Sequence, residues 1–414
     1  MNQDWKRIFA NASSLFVLQL VTYAISLAAV PYLVRVLGPS KYGLVVFAQS
    51  VVTYFIFLVD YGFDISGVMK LSDRQGDKKH ISAVFHNVMA AKALLGLAGF
   101  VVISVMILAV GKFRNEWLLI LLTFGMISGQ VMIPSWFFRG MERMQYIAYS
   151  LVAVKSLYLV LIFVFVHSQS DYRLVPLANL IAYNLVGFLA LKTVYSRFGV
   201  SFRMPEISDI LSDIKEGFVY FTKAITDNFA RITNTVVLGF AAGDAAVGYY
   251  GSAEKLMDAV RAMLNVFYQA LFPHSSRTYK ADRAAWLRFV KVAAIGGAAL
   301  GLCMSSALFI FAPEAVNLIL GSQYAESVQL LRIISFFIFF FSMNYVMSVL
   351  VIVCSGRAKA FLNLTFAARG LSVVLIAVLV PAYGQVGSAI VSVTSELIYT
   401  IILAAYIIKA RGEI

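Results

Sequence analysis

Twelve apolar stretches of about twenty residues divide this 414-residue chain, and a stretch of that length is what crosses ~30 Å of hydrocarbon as an α-helix. They run 9–34, 42–63, 81–109, 117–138, 146–167, 174–195, 217–240, 246–272, 289–312, 326–352, 360–381 and 386–408. In a bilayer every backbone N–H and C=O must be satisfied inside its own segment, so runs like these can only be helices. The sequence therefore predicts an all-α polytopic membrane protein. Composition agrees, with 61% hydrophobic and 13% charged residues, about half the roughly 25% charge of soluble chains. The first run continues to about Val34, longer than the apolar region of a cleaved signal peptide. Cys303 and Cys354 both lie in apolar segments and supply neither a disulfide framework nor a metal-binding spacing.

The net charge of +13 first reflects orientation rather than nucleic-acid binding. With the N-terminus inside, the inward segments hold 21 Lys and Arg and the outward ones five, which by the positive-inside rule puts both termini in the cytoplasm. The longest inward segment, 196–216, divides the chain into six helices on each side, predicting an N-terminal lobe over 1–195 and a C-terminal lobe over 217–414. After Met204-Pro205, residues Ile207, Ile210, Leu211 and Ile214 recur at helical spacing among acids. That pattern fits a short amphipathic helix on the inner surface, or equally a solvated tether. A weak repeat supports the division: Leu37-Gly38 and Tyr42-Gly43 open the second helix, and Leu238-Gly239 and Val247-Gly248-Tyr249 open the eighth, as in transporters built from parallel repeats.

Eight basic residues remain inside the spans: Lys92, Lys155, Lys223, Arg231, Lys255, Arg261, Arg332 and Arg369. Each costs roughly 2.5–3.5 kcal/mol at a helix centre on the insertion scale. Acids at comparable depth are Asp227, Glu254, Asp258 and Glu396, with Asp60 nearer the inner end of its helix. Lys223, Asp227, Arg231 and Asn234 fall within about 80° on one helix. Glu254, Asp258, Arg261, Asn265 and Gln269 do the same on the next, and Asn11, Gln19, Thr22 and Ser26, then Gln49, Thr53, Asp60 and Asp64, form matching stripes in the first half. Spacing of i,i+3 and i,i+4 allows local ion pairs for Asp227, Glu254 and Asp258 as readily as ligand contact. Lys92, Lys155 and Arg369 sit about midway along their spans with no acid within a turn in sequence, where snorkelling is poor. These residues predict a hydrated cationic cavity, with Lys92, Lys155, Lys223, Arg231, Lys255, Arg261 and Arg369 as cargo-binding groups. Asp60, Asp227, Glu254, Asp258 and Glu396 are expected to pair with them or to couple an ion. Such a cavity suits an anionic, phosphate-bearing solute, since Arg and Lys are the residues that recognise phosphate.

Several stretches resemble a known family. Asn11 to Ser14, Pro31-Tyr32-Leu33-Val34-Arg35-Val36-Leu37-Gly38, Tyr42-Gly43 and Asp60-Tyr61-Gly62-Phe63 are similar to the N-terminal pattern of bacterial polysaccharide flippases. Trp136-Phe137-Phe138-Arg139-Gly140-Met141-Glu142-Arg143-Met144-Gln145-Tyr146-Ile147 resembles that family's loop after helix 4, with Arg139 where Gln is more usual. Leu238-Gly239, Val247-Gly248-Tyr249-Tyr250, Ala253-Glu254-Lys255-Leu256 and Gln269-Ala270-Leu271-Phe272-Pro273 resemble its helix 7 to 8 region. The resemblance implies the multidrug/oligosaccharidyl-lipid/polysaccharide exporter fold, two pseudo-symmetric six-helix bundles around a central cavity with alternating access. It also implies an undecaprenyl-diphosphate-linked oligosaccharide flipped to the periplasmic leaflet of the bacterial inner membrane, and a polysaccharide polymerase and chain-length regulator as partners. No Walker A pattern occurs, so a proton or Na⁺ gradient or the membrane potential is the expected driving force, with no cofactor.

Two other classes fit less well. A multidrug cation antiporter of the same fold would want cavity acids rather than surplus bases. A membrane polymerase or glycosyltransferase would want a sizeable outward loop or a DxD pair, and neither is present. His80, His86, His167 and His274 are scattered with no HExxH, so metal-assisted hydrolysis is unsupported.

Overall fold

The computed structural model describes residues 2–74 and 76–410, with side chains described for 25, 28–74, 76–218, 220–222 and 229–410. It is 91% helix and contains no strands among the described residues. The long helices are α1 (Asn2–Asp60), α2 (Phe63–Ser72), α3 (Lys78–Ala109), then the single turn α4 (Gly111–Asn115), α5 (Trp117–Met132), α6 (Ser135–Gly140), α7 (Met144–Phe165) and α8 (Leu174–Phe198). They continue as α9 (Ile207–Ala241), α10 (Gly243–Ala281), α11 (Arg283–Ile310), the short α12 (Ala312–Ala315), α13 (Glu326–Tyr345) and α14 (Ala358–Lys409). Among the described residues eight helices are long and apolar enough to cross a membrane. Two of the elements that provide them hold two expected spans each, because α1 and α14 run through breaks at Gly38 (φ 69°) and Gly384 (φ 54°). The charged stripe of α10 keeps it out of that number, and of α9 the shorter stretch Phe229–Ala241 is apolar among the described residues.

The chain forms two compact units. One comprises Met1–Tyr32 and Ala48–Ile225, the other Leu33–Phe47 and Thr226–Ile414. This differs in two places from a split read off the loops. The amphipathic stretch expected as a separate helix is instead the opening of α9, a single 35-residue helix. Its first turns pack in the first unit because Ile210 and Ile214 join that unit's core, Tyr61 stacks on Phe221 at 4.6 Å, and Lys70 pairs with Asp213 and Glu216 at 2.6 Å. The second difference is the elbow around Gly38, which lies in the second unit although its sequence belongs to the first half.

The first unit's core is aromatic. Trp136, Phe137 and Phe138 are all at most 1% exposed, packed with Phe85, Phe63 and Leu71. Phe85 meets Phe137 edge-on at 5.3 Å and Phe138 stacks on Tyr146 at 5.2 Å, geometries that add to simple area burial. The conspicuous Trp-Phe-Phe motif is thus a packing element. In the turn between α1 and α2, Tyr61 (φ 41°) and Gly62 (φ 77°) both take left-handed backbone, which places the Asp60 carboxylate beside α3.

In the second unit the two glycine motifs of the weak repeat pack against each other. A Cβ on Gly43 would collide with the Asp244 carbonyl, one on Gly248 with the Pro39 carbonyl, and one on Gly239 with the Phe47 ring. Helices in lipid gain no hydrophobic drive toward one another, so small residues that let backbones approach are a main source of association. Arg35 donates to the Leu318 carbonyl and Gln323 to the carbonyls of Val34 and Arg35 at 3.0 and 3.1 Å, which close the same elbow. Replacing Gly248 with Val should therefore destabilise the protein by about 1–3 kcal/mol, whereas Val at the unobstructed Gly296 should be tolerated. Thermal unfolding of the two detergent-purified variants checks this.

Candidate functional site

α9, α10, α13 and α14 bring one polar pocket together inside the second unit, a cavity of about 90 Å³ lined by charged and hydroxyl-bearing side chains among apolar ones. Its floor is set by period. On α10, Tyr250, Glu254, Asp258 and Arg261 follow one another at three- and four-residue steps and so share a face. On α14, Ser388 and Ser392 continue by such steps to both Ser395 and Glu396.

Arg231, from α9, is the centre of the first charge group. Its guanidinium reaches Asp258 at 2.8 Å and Glu254 at 3.9 Å, while Arg261 closes on the other Asp258 oxygen at 3.0 Å and lies over the Phe337 ring at 5.9 Å. Two arginines and two carboxylates join α9 to α10 here, and the Phe337 ring adds α13. The second group is more enclosed. Arg369 donates to Glu396 Oε1 at 2.9 Å, Asn344 donates to Glu396 Oε2 at 2.7 Å, and Thr400 donates to Asn344 Oδ1 at 2.8 Å. The Glu396 side chain is 6% exposed and that of Arg369 22%. Between the groups, the buried Asn234 donates to the Tyr250 hydroxyl and the Ser388 carbonyl, both at 3.1 Å. Three arginines thus meet three carboxylates in these two groups.

The first unit holds a separate pair. Lys92, 3% exposed, donates to Asp60 at 2.9 Å, and Gln130 approaches the other carboxylate oxygen at 3.5 Å. Lys155 is half-buried on α7 and is not a free charge.

Of the residues read from sequence, the structure brings together Arg231, Arg261, Arg369, Glu254, Asp258 and Glu396, and places Lys92 with Asp60 elsewhere. Lys255 is exposed and does not line the pocket. Arg332, also exposed, lies over the Phe309 ring at 5.6 Å. Lys223 and Asp227 lie outside the described side chains, as do Asn11, Gln19 and Thr22. The sequence left Lys92 and Arg369 without a counter-charge. Asp60 at the end of α1 reaches Lys92, and Glu396 reaches Arg369 from beyond the Gly384 break in α14, relations that spacing within one turn cannot reveal.

Reading single helices also missed Asn344, Tyr250 and Thr400. Asn344 was detectable as a polar residue amid the apolar run 326–352, and Ser392, Ser395 and Glu396 as a stripe like those of the other helices. Removing one partner of a buried pair leaves an uncompensated charge, a loss of about 3–5 kcal/mol, while replacing both partners by apolar residues is often neutral. Glu396→Ala should accordingly lower stability by about that amount, and Arg369→Met with Glu396→Leu should lower it less. Unfolding of both variants in the same detergent tests this.

A family described as polysaccharide biosynthesis protein has a sequence profile that matches residues 8–279. A curated protein of Escherichia coli (strain K12) named "Putative O-antigen transporter" is 25% identical over 407 residues, 98% of each chain. Among solved structures, the lipid II flippase MurJ in an inward closed conformation superimposes with a TM-score of 0.74 at 12% identity, over 96% of this chain and 87% of that one. An inward-facing multidrug resistance MATE family transporter of the MOP superfamily gives 0.71 at 16% identity, over 96% and 99%. At these identities the two structures establish the fold alone, a polytopic all-helical membrane architecture.

Proposed function

Since the chain belongs to the polysaccharide biosynthesis protein family, whose profile covers nearly two thirds of it, we propose that it is a flippase for lipid-linked oligosaccharide. The cargo on this reading is an undecaprenyl-diphosphate-linked O-antigen repeat unit, moved from the cytoplasmic to the periplasmic leaflet of the bacterial inner membrane by alternating access, with both termini cytoplasmic. The observation that carries the proposal beyond the family is the convergence of Arg231, Arg261 and Arg369 on one pocket inside apolar helices. Guanidinium groups recognise phosphate by two parallel hydrogen bonds, and a buried set of them has little use for a neutral solute.

The prenyl tail would stay in lipid while the diphosphate and sugars follow the polar faces, exchanging places with carboxylates that now occupy the arginines. Lys92 and Lys155 are proposed as cargo contacts within the first unit, and Lys223 extends the α9 stripe in sequence. Lys255, exposed and outside the pocket lining, is given no cargo role. An inside-negative potential favours outward movement of anionic charge by about 2.3 kcal/mol per charge per 100 mV, so transport needs no nucleotide. Glu254, Asp258, Glu396 and Asp60 act as counter-ions to the bases, and a proton or Na⁺ gradient would act through them, as it would through Asp227. A polymerase and chain-length regulator would take up the product.

A cation antiporter is the second reading, favoured by the balance of three acids against three arginines in the pocket. In cells lacking the protein, Arg231→Ala and Arg261→Ala variants present at normal level in the membrane should fail to restore surface polysaccharide. Normal polysaccharide with both variants would remove these arginines from the cargo path. Loss of the protein should leave growth in toxic cations unchanged, and sensitisation would favour the antiporter.

A further inference from the structure

Basic residues on the face that the positive-inside rule assigns to the cytoplasm are distributed unequally between the units. In the first, segments 64–79, 139–143 and 192–216 hold ten Lys or Arg and eight Asp or Glu. Several of these are paired: Lys70 with Asp213 and Glu216, and Arg139 with Asp64 at 3.5 Å. In the second, segments 277–291 and 357–359 with Lys409 hold eight bases and one acid, Asp282. That carboxylate is already engaged, accepting from the amides of Ala284 and Ala285 at 2.8 and 3.0 Å as the N-cap of α11. The positive-inside rule accounts for the sign of these charges, because it counts a side of the membrane. It does not account for the concentration of the surplus over acids in one unit.

The three segments form one corner. Trp286, fully buried, packs with Val351 and Ala410 and against Tyr279, Tyr406 and Ile407. Its indole N–H donates to Ser275 at 3.1 Å, whose hydroxyl donates to the Leu350 carbonyl at 3.1 Å. Arg357 donates to the Tyr406 hydroxyl at 3.2 Å, tying the third segment in. On this rigid base Arg277, Lys280, Arg283, Arg288 and Lys291 are all exposed, as are Lys359 and Lys409. None of the seven forms an ion pair among the described residues. Exposed Leu287 (52%) and Val292 (69%) stand beside Arg288 and Lys291 on α11, so the charges border the apolar belt at the depth of lipid headgroups.

We infer that this corner is a binding surface for anionic phospholipid headgroups of the inner leaflet. A phosphate beside lipid-facing apolar side chains is the ligand that this combination fits, since clustered bases next to a transmembrane helix are drawn to an anionic leaflet and hold headgroups between helices. The lipids anchor the second unit, whose corner carries the surplus, and leave the first, whose ten bases stand among eight acids, without such an anchor.

The test uses the full chain reconstituted in vesicles of equal phosphatidylcholine and phosphatidylglycerol, extracted in mild detergent, with retained lipids counted by native mass spectrometry. The protein should retain phosphatidylglycerol in preference to phosphatidylcholine, and lose that preference at raised salt and in the combined Arg283→Gln, Arg288→Gln, Lys291→Gln variant. The Lys78→Gln, Lys79→Gln variant in the first unit should keep it. Equal retention of both lipids by the unaltered chain, or an undiminished preference in the triple variant, would overturn the inference. So would displacement of phosphatidylglycerol by an added polyprenyl diphosphate, which would make the corner a cargo-docking surface. Should the triple variant not fold, the salt dependence of the unaltered chain decides. The result does not depend on whether the protein flips oligosaccharide.

Discussion

A charge inside hydrocarbon has to bring its counter-charge from somewhere, and in this protein it comes from a neighbouring helix. Arg231 on α9 is met by Glu254 and Asp258 on α10, and Lys92 on α3 by Asp60 at the end of α1. Arg369 and Glu396 meet across the break in α14. Each pair fixes the rotation of two helices about their axes, because turning either by one residue moves its charge about 100° and into lipid. Pairing of this kind adds little net stability over apolar packing. What it does specify is which faces meet.

That rotational constraint is complemented by close approach. Where the elbow around Gly38 crosses the start of α10, Gly43 and Gly248 let backbone meet backbone, so the second unit is held by small residues at one end and by charge pairs deeper in. Asp60 and Gly62 show both devices within a few residues. The left-handed turn at Tyr61 and Gly62 brings α9 against α1 and α2 through the Tyr61 and Phe221 rings, and the same turn sets the carboxylate that neutralises Lys92.

Hydropathy made the spans legible because each must match the hydrocarbon thickness. Most helix bounds fall close to those read from composition, α3, α7 and α8 among them. Continuity was not legible. Nothing in the residues after Pro205 says that the amphipathic turn and the next span are a single helix, since a polar-to-apolar transition along one helix has the same pattern as two helices. The charged residues were identifiable one by one, and those of α9 and α10 as stripes. Their partners were not, because Lys92 and Asp60 are 32 positions apart in the chain and Arg369 and Glu396 are 27 apart. The glycine motifs were visible as a repeat, yet periodicity could not indicate that they pack on each other.

The pairing also changes what the buried arginines can do for an anionic cargo. Arginines standing alone would hold a diphosphate tightly and release it slowly. In the pocket seen here every arginine already has a carboxylate, so an incoming phosphate must displace Asp258, Glu254 or Glu396 before it gains its own hydrogen bonds. Exchange of one anion for another leaves a small net gain, which is what conduction requires: binding favourable enough to admit the solute and weak enough to let it leave. On the flippase reading the acids are therefore part of the transport path, acting as the reference anion against which the cargo competes. The net charge of +13 then resides largely outside the pocket, on surfaces that face the bilayer's own headgroups.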